Sequence, residues 1–365
     1  MESSKPRKSP IISSQLRKAR ELLQFNIAEV SNYISTNPDY IERWEKGEET
    51  PSVKQLEVLA KLYGREIDYF LRDTPTPPRE IEFRGKSNQT FRNLTREAKN
   101  VIARFDELCR TAFELEQLLK QRHVVKLTRF NKSDSPDRIA ESLRKQLSVG
   151  NKPIPHFRDI LEKEGARIFE LPVPNDEFSG LSFWHSEYGP AILLNAKELK
   201  GRRNFTLAHE LAHLLYDDGS SVCYVSDASL LPRESIERKA NQVAIKLLLP
   251  AEGISEDFLQ KDLSRKPQEK QLGQLAGRWG VSIQALGYRL EDLGLIEKGH
   301  TDQLPKTKTY FRGSRTPRWE RQLGKQFVMT AMDAYHKGLI TSGKLSHALG
   351  ITFRKTLEEI PKRVR

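Results

Sequence analysis

Cysteine is almost absent from this chain: only Cys109 and Cys223 occur in 365 residues, far apart and outside any CxxC pattern. That excludes a disulfide scaffold and makes a reducing cytoplasm the expected compartment. No run approaches the roughly 18 uncharged apolar residues that a membrane-spanning helix needs, so no membrane partner is expected. The opening stretch MESSKPRKSP is basic but has no apolar segment behind it, and it does not read as a secretory signal. No internal repeat is visible.

Hydrophobic residues make up 37% of the chain, enough for a core, and charged residues make up 30%, so the surface is heavily charged. The length suggests two or three domains. The formal net charge is +12, and its location matters more than its size. Residues 1–73 carry 12 Lys/Arg against 12 Asp/Glu, whereas residues 298–365 carry 15 against 5. Only about +2 is left for the long middle, so the basic excess belongs to the tail.

Apolar spacing divides the chain further. Over residues 1–73, Leu16, Ala19, Leu22 and Leu23 mark a first helix. Further helices are expected over 27–34, over 38–45 up to Gly47, and around Leu56, Leu59, Ala60 and Leu62 up to Gly64. Thr74-Pro75-Thr76-Pro77-Pro78 cannot continue a helix and opens a linker over 74–94. Residues 95–134 form a connecting segment built on one long helix, 95 to about 122. Residues 135–297 mix types: helices at 136–147 and up to 163, then short strands at 166–171, 180–184 and 191–194. Helices return at 202–216, 233–249 (stopped by Pro250), 272–279 and 283–293. Three strands enclosed by helices predict an α+β domain in a mostly helical chain. The extension 298–365 is expected to be loose to about 315, helical over 318–336 and helical again later.

The sharpest chemical signal is His209-Glu210-Leu211-Ala212-His213 within FTLAHELAHLLYDD. Residues four apart on a helix turn through about 400°, so both imidazoles leave one face one turn apart. Two nitrogens so placed can bind one zinc ion at about 2 Å. Glu210 lies beside them, able to take a proton from a metal-bound water without being a ligand. Phe205, Leu207, Ala208, Leu211, Leu214 and Leu215 surround the three, so the helix is expected to be buried. A catalytic zinc site wants a third protein ligand and an open position. Asp217, Asp218, Cys223, Glu234 and Glu237 are candidates. Glu237 is favoured because it shares an inward helix face with Asn241, Ala244 and Leu248, where a carboxylate needs a cation. Asp217 is in register with His213 but sits at the helix end, and Asp217 and Asn241 are expected to support the ligands.

The segment from about 139 to 296 resembles the ImmA/IrrE family of zinc-dependent metallopeptidases. The resemblance rests on Phe205-Thr206-Leu207-Ala208-His209-Glu210-Leu211-Ala212-His213, on Glu237, Ala240 and Asn241 running to Leu248-Leu249-Pro250, and on Pro190-Ala191-Ile192-Leu193-Leu194-Asn195. Position 212 is Ala where the family usually has Gly, a change a helix tolerates. The resemblance implies a zincin-like fold with a small three-stranded sheet, a Zn2+ cofactor, His209, His213 and Glu237 as ligands, and Glu210 as general base. It also implies a protein substrate. The strand over 191–194 is expected to lie along the cleft as an edge for an extended substrate. Tyr216, Tyr224, His185 and Arg289 are candidates for stabilising an oxyanion, with none preferred.

Residues 16–71 resemble the helix-turn-helix domains of the Cro and lambda-repressor (XRE) family. The carriers are Leu16-Arg17, Ala19-Arg20, Ile41, Trp44-Glu45, Gly47, Pro51, Leu56, Leu59-Ala60 and Tyr63-Gly64. The resemblance implies a five-helix bundle whose third helix enters the major groove, with Asn37, Pro38, Asp39, Tyr40 and Arg43 facing DNA and Lys46 near phosphate. The charges argue back. Between Asn37 and Thr50, Asp39, Glu42, Glu45, Glu48 and Glu49 stand against Arg43 and Lys46 alone, and phosphates repel such a surface. Dimerisation as a homodimer, or docking of a protein partner, is the other use for this domain.

In the tail, Lys306, Lys308, Arg312, Arg315, Arg318, Arg321 and Lys325 enclose Tyr310, Phe311 and Trp319. Such interleaving suits nucleic acid or an acidic partner, or else a helical extension packed on the body through Trp319, Phe327 and Met332. Taken whole, the chain reads as a regulatory zinc metallopeptidase fused to a DNA-binding domain, cutting a repressor or partner protein. The other reading is an antitoxin and transcriptional repressor of a toxin–antitoxin pair, in which the peptidase-like domain holds the toxin.

Overall fold

The computed structural model describes residues 10–65, 67–71, 82–84, 94–121, 123–216, 221–223, 235–304 and 319–351. The chain divides into two compact units, residues 1–108 and 109–365.

The first unit opens with five helices: α1 (Pro10–Leu22), α2 (Ile27–Ile34), α3 (Pro38–Lys46), α4 (Val53–Leu62) and the short α5 (Ile67–Phe70). Local chemistry explains their bounds. Asn26 and Glu29 cap α2 reciprocally, each side chain accepting from the other's backbone N–H, and Ser52 and Gln55 do the same for α4. α3 starts where Asn37 Oδ1 accepts from the Asp39 N–H at 3.0 Å, with Pro38 fixing the first turn. It stops at Gly47, whose φ of 75° is a left-handed closure. Leu23, Val30, Ile41, Trp44, Leu59 and Tyr63 fill the core.

β1 (Glu82–Arg84) and α6 (Arg96–Leu118) follow, and the division between the units falls within α6. Buried Arg65 fastens the first part of α6, donating to Asp106 at 2.8 Å and to Glu107 and the Ala103 carbonyl. The helix expected to reach about residue 122 ends at Leu118. Lys120 takes a φ of 53° there, and the Gln121 N–H turns back to the Glu116 carbonyl at 2.9 Å.

The second unit contains α7 (Pro136–Gln146), α8 (Phe157–Lys163), β2 (Arg167–Leu171), β3 (Gly180–His185), β4 (Gly189–Asn195), α9 (Lys200–Tyr216), β5 (Ser221–Cys223) and α10 (Ser235–Leu248). Within this unit the strand order is β5-β3-β4-β2. β2 runs parallel to β4, with Ile168 beside Ile192, and β3 is antiparallel to both β4 and β5. The three expected strands lie side by side, β4 between β2 and β3, and the short β5 pairs with β3.

One expectation is overturned. β4 is not an edge for an extended substrate, because β2 and β3 pair with it on its two sides. All seven of its residues are buried, and the continuous apolar run from Pro190 to Leu194 is the pattern of a central strand. Asn195 ends it, its Oδ1 accepting from the Val173 and Lys197 N–H groups at 3.2 and 3.0 Å.

Helices α11 (Ala251–Gln260), α12 (Glu269–Trp279), α13 (Ile283–Asp292) and α14 (His300–Gln303) complete the peptidase-like part. Pro250 stops α10 as expected, but it also starts α11, which the sequence reading lacks. A proline's fixed φ suits the entry to a helix, and Ile254 and Phe258 supply that helix's buried face. The helix expected over 318–336 is two, α15 (Trp319–Leu323) and α16 (Lys325–His336), followed by α17 (Ser342–Leu349). Gly324 breaks it with φ 86°, and a Cβ there would collide with the Arg158–Glu162 ion pair. Phe327 of α16 meets Phe169 of β2 edge-on, 5.5 Å between ring centres. The extension is therefore packed on the body, while Tyr310, Phe311 and the cations from Lys306 to Arg318 lie outside the described residues. Among the described residues no helix is long and apolar enough to cross a membrane.

Candidate metal centre

α9 packs beside α10 and across β3 and β4, with every residue from Phe205 to Tyr216 buried. His209 and His213 retain 1% exposure, Glu210 none and Glu237 4%, so the ionisable set is cut off from bulk water. An uncompensated charge in such a place costs several kcal/mol, roughly, and must meet a counter-charge.

The structure brings together two of the residues on α9 and one on α10. His209 Nε2 and His213 Nε2 lie 3.1 Å apart. Glu237 Oε2 is 3.2 Å from His209 Nε2, and Glu237 Oε1 is 3.1 Å from His213 Nε2. Ligands about 2.0 Å from a tetrahedral ion are about 3.3 Å from one another, so three converging donors at these separations suit a zinc-sized cation. The donor set, two nitrogens and a carboxylate, is also of the right kind. Among the described residues this is the one group of its type that could hold a metal ion.

The electrostatics point the same way. Burial opposes ionisation of Glu237, but hydrogen bonds from His209 and His213 outweigh it and hold the carboxyl well below the usual carboxylate range. Burial likewise works against charge on His209, yet Glu237 and Glu210 lift its pKa above the ordinary imidazole value. The carboxylate draws positive charge to this point, and a proton or a divalent cation can supply it. His209 Nδ1 donates to Asn241 Oδ1 at 2.8 Å, which leaves Nε2 with its lone pair toward the cluster. Asn241 thus stands where a supporting residue is expected, one turn along α10 from Glu237.

Glu210 points to the sheet. Ser182 on β3 donates its hydroxyl to Glu210 Oε2 at 2.6 Å, and both groups are buried. Gly180, two residues earlier on the same face of β3, has no side chain because one would press on it: a Cβ there would lie 2.8 Å from Glu210 Oε1 and 2.7 Å from Thr206 Cγ2. The sequence reading missed both residues. Their signal, a Gly-x-Ser alternation inside an otherwise large-residue strand, carries meaning only once β3 is known to cross α9.

Other expected residues have different fates. Asp217, Asp218, Tyr224 and Glu234 lie outside the described residues. Of the oxyanion candidates, the Tyr216 hydroxyl donates to the Ile236 carbonyl at 3.0 Å, and His185 Nδ1 accepts from the N–H groups of Glu187 and Tyr188. Arg289 donates to the Leu249 carbonyl and pairs with Asp292. Each serves local structure.

In the first unit, Asn37, Pro38, Asp39, Tyr40 and Lys46 are exposed along α3 and Arg43 is half-buried. The five acids counted against phosphate are not equivalent. Glu45 is turned inward and held by the guanidinium fork of Arg20 at 2.7 and 2.8 Å. Glu49 pairs with Arg43 at 2.6 Å and Glu42 with Lys46 at 3.0 Å. Arg43 also lies over the Tyr40 ring, 4.4 Å from its centre. Asp39 and Glu48 have no ion pair among the described residues, so the surface stays net negative, with its two cations engaged by its own acids.

With this geometry in view, residues 161–291 match the family model for the IrrE N-terminal-like domain, a peptidase family, and residues 16–70 match a helix-turn-helix model. No curated protein matches the chain. The chain thus joins a helix-turn-helix domain of the DNA-binding class to an IrrE/ImmA-like peptidase domain.

Proposed function

We propose that this chain is a regulatory zinc-dependent endopeptidase that hydrolyses a peptide bond in a repressor or partner protein, brought to its place of action by a DNA-binding helix-turn-helix unit. The observation that carries this reading is the cluster of His209 Nε2, His213 Nε2 and the Glu237 carboxylate, with 3.1 Å between the two nitrogens and each nitrogen 3.1 to 3.2 Å from one carboxylate oxygen, all buried beside Glu210.

His209 Nε2, His213 Nε2 and a Glu237 oxygen would hold the zinc ion, which when bound polarises the scissile carbonyl and lowers the pKa of water. The remaining work falls to the chain itself. Glu210 takes a proton from the attacking water and returns it to the leaving amine. Ser182, by its 2.6 Å hydrogen bond, fixes the carboxylate so that no rotamer search precedes the transfer. Asn241 keeps His209 in the tautomer that offers Nε2. The burial of His209, His213, Glu210 and Glu237 keeps stray water away and strengthens each of these interactions. Holding a toxin would need none of His209, Glu210, His213 and Glu237 as a set, so the intact constellation favours hydrolysis over the antitoxin reading.

The test is to co-purify the full chain with the product of the adjacent gene and follow cleavage with and without a chelator. The expected result is about one zinc per chain, with cleavage abolished by chelation and by Glu210→Gln, the latter with its zinc retained. Metal-free wild-type protein, or Glu210→Gln cleaving at the wild-type rate, would overturn the proposal.

A further inference from the structure

The second unit carries a groove of about 790 Å3 on which the proposed chemistry makes no demand. It is bounded by the first turns of α8, α9 and α16 and by the α12–α13 turn. Ile154, Pro155, Val328 and Met329, the last 55% exposed at the lip, give it accessible apolar surface above a buried floor of Phe157, Leu194, Leu207 and Trp279. Six cations line it against two acids, Asp159 and Glu170. Glu170 is already shared between Arg158 at 3.2 Å and Arg203 at 3.3 Å, and Arg278 is paired with Asp257 at 2.8 Å. Lys200, Arg321 and Lys325 are exposed and have no ion pair among the described residues.

This charge is concentrated against the ordinary logic of helices. A helix N-terminus carries about half a positive charge and normally attracts acidic residues. α9 and α16 both begin at this groove and open on Lys200 and Lys325, with no acid of their own in the first turn; at α16, Glu162, itself paired with Arg158, accepts from the Gln326 N–H at 3.5 Å. Two helix starts and three exposed cations with no ion pair among the described residues thus gather around an apolar floor. That arrangement favours an anionic group over a neutral one.

We infer that this groove is a docking site for an acidic segment of another protein, one that carries apolar side chains among its carboxylates. The chain's own neighbouring segments do not fit it, since residues 305–318 contain five Lys/Arg and no Asp or Glu. A nucleic-acid strand fits less well, because its bases need exposed aromatic faces, and Phe157 and Trp279 are each only 3% exposed. The site is separate from the metal ligands: Lys200 precedes His209 by nine residues, about 14 Å along α9. A segment held here would anchor a partner to the helix that bears the ligands without touching them.

The test is fluorescence anisotropy on the full chain, with a labelled dodecapeptide of Asp and Glu carrying Leu or Phe at every fourth position. Comparison probes are the same peptide with Asn and Gln for the acids, and an oligothymidylate of equal length. The acidic peptide should bind, more weakly as salt rises, and the neutral peptide should bind at least about tenfold less well. The combined variant Lys200→Glu, Arg321→Glu and Lys325→Glu should lose at least about tenfold in affinity, while Lys54→Glu with Lys61→Glu, on exposed α4 positions, should change it less than about twofold. If the triple variant misfolds by circular dichroism, Lys325→Gln alone should show an intermediate loss. No binding of the acidic peptide, equal binding of the neutral one, tighter binding of the oligonucleotide, or a groove variant with wild-type affinity would each overturn the inference.

Discussion

Helix α3 and the α9–α10 pair both crowd charged residues onto short stretches of helix, and they resolve the crowding in opposite ways. On α3 both cations and two of the acids meet an opposite charge: Glu45 with Arg20, Arg43 with Glu49, Glu42 with Lys46. On α9 and α10 the groups that meet are all electron-pair donors, two imidazoles and a carboxylate within 3.2 Å. Paired opposite charges settle a structure and leave little to offer a ligand. Donors that converge without a built-in cation leave room for one. Local sequence shows both as charged helices, and only the partners distinguish them.

The largest expected effect lies at the metal centre. Glu237→Gln keeps the shape but removes the charge that draws a cation, and zinc content should fall from about one per chain to nearly none. Retention of full occupancy on metal analysis would mean that the two imidazoles bind without Glu237. Asn241→Ala leaves all three ligands in place and should weaken zinc by about 10- to 100-fold in competition with a chelator, through loss of the His209 hydrogen bond. Unchanged affinity would remove Asn241 from the site.

On the other side of the comparison, Arg20→Ala strands the buried Glu45 carboxylate. It should destabilise the helical unit by about 2–3 kcal/mol, discounted from a fully buried pair because Arg17 stands 3.7 Å away. Arg43→Ala breaks a more exposed pair and should cost less than about 0.5 kcal/mol. Denaturant melts that reverse this order would break the distinction between inward and outward pairs on this helix.

A buried pair in the second unit tests the same rule with pH. Burial raises the Glu116 carboxyl, but hydrogen bonds with His123 and Arg167 outweigh this and bring it below the usual range. A depressed carboxyl contributes stability above its unfolded pKa of about 4.3, and that stability is lost as pH falls through the folded value. Glu116→Gln should therefore flatten the acid limb of the stability profile below about pH 4. An identical limb would assign the acid sensitivity elsewhere. The smallest effect belongs to Glu49→Gln, which frees Arg43. Binding to duplex DNA should tighten a few-fold, and its logarithmic salt slope should steepen by about 0.9 if Arg43 then reaches a phosphate.

Much of this was legible in order of sequence distance. His209, Glu210 and His213 fall within five consecutive residues, so helical geometry alone places them together. Glu237 required only the inference that its helix face turns inward. Helix starts at Pro38 and Pro136 and the stop at Gly47 were readable because a proline in a first turn and a glycine after a last one are local signals. Ser182 and Gly180 were not, since they reach Glu210 across 28 and 30 residues of chain. Nor was the inward turn of Glu45, which the acid count on α3 treated as exposed. β4 was misjudged as an edge because strand order depends on pairings that no single strand encodes.

Periodicity, capping residues and a motif shorter than two helical turns are properties of neighbouring residues, and for these the chain's linear order was sufficient. Which strand lies in the middle, which serine steadies the carboxylate, which acids are already neutralised and where three exposed cations gather around an apolar floor were all decided by the packing of distant segments. The reason is geometric. Forces that act across a few ångströms are written into the sequence only when folding keeps the interacting residues close along the chain.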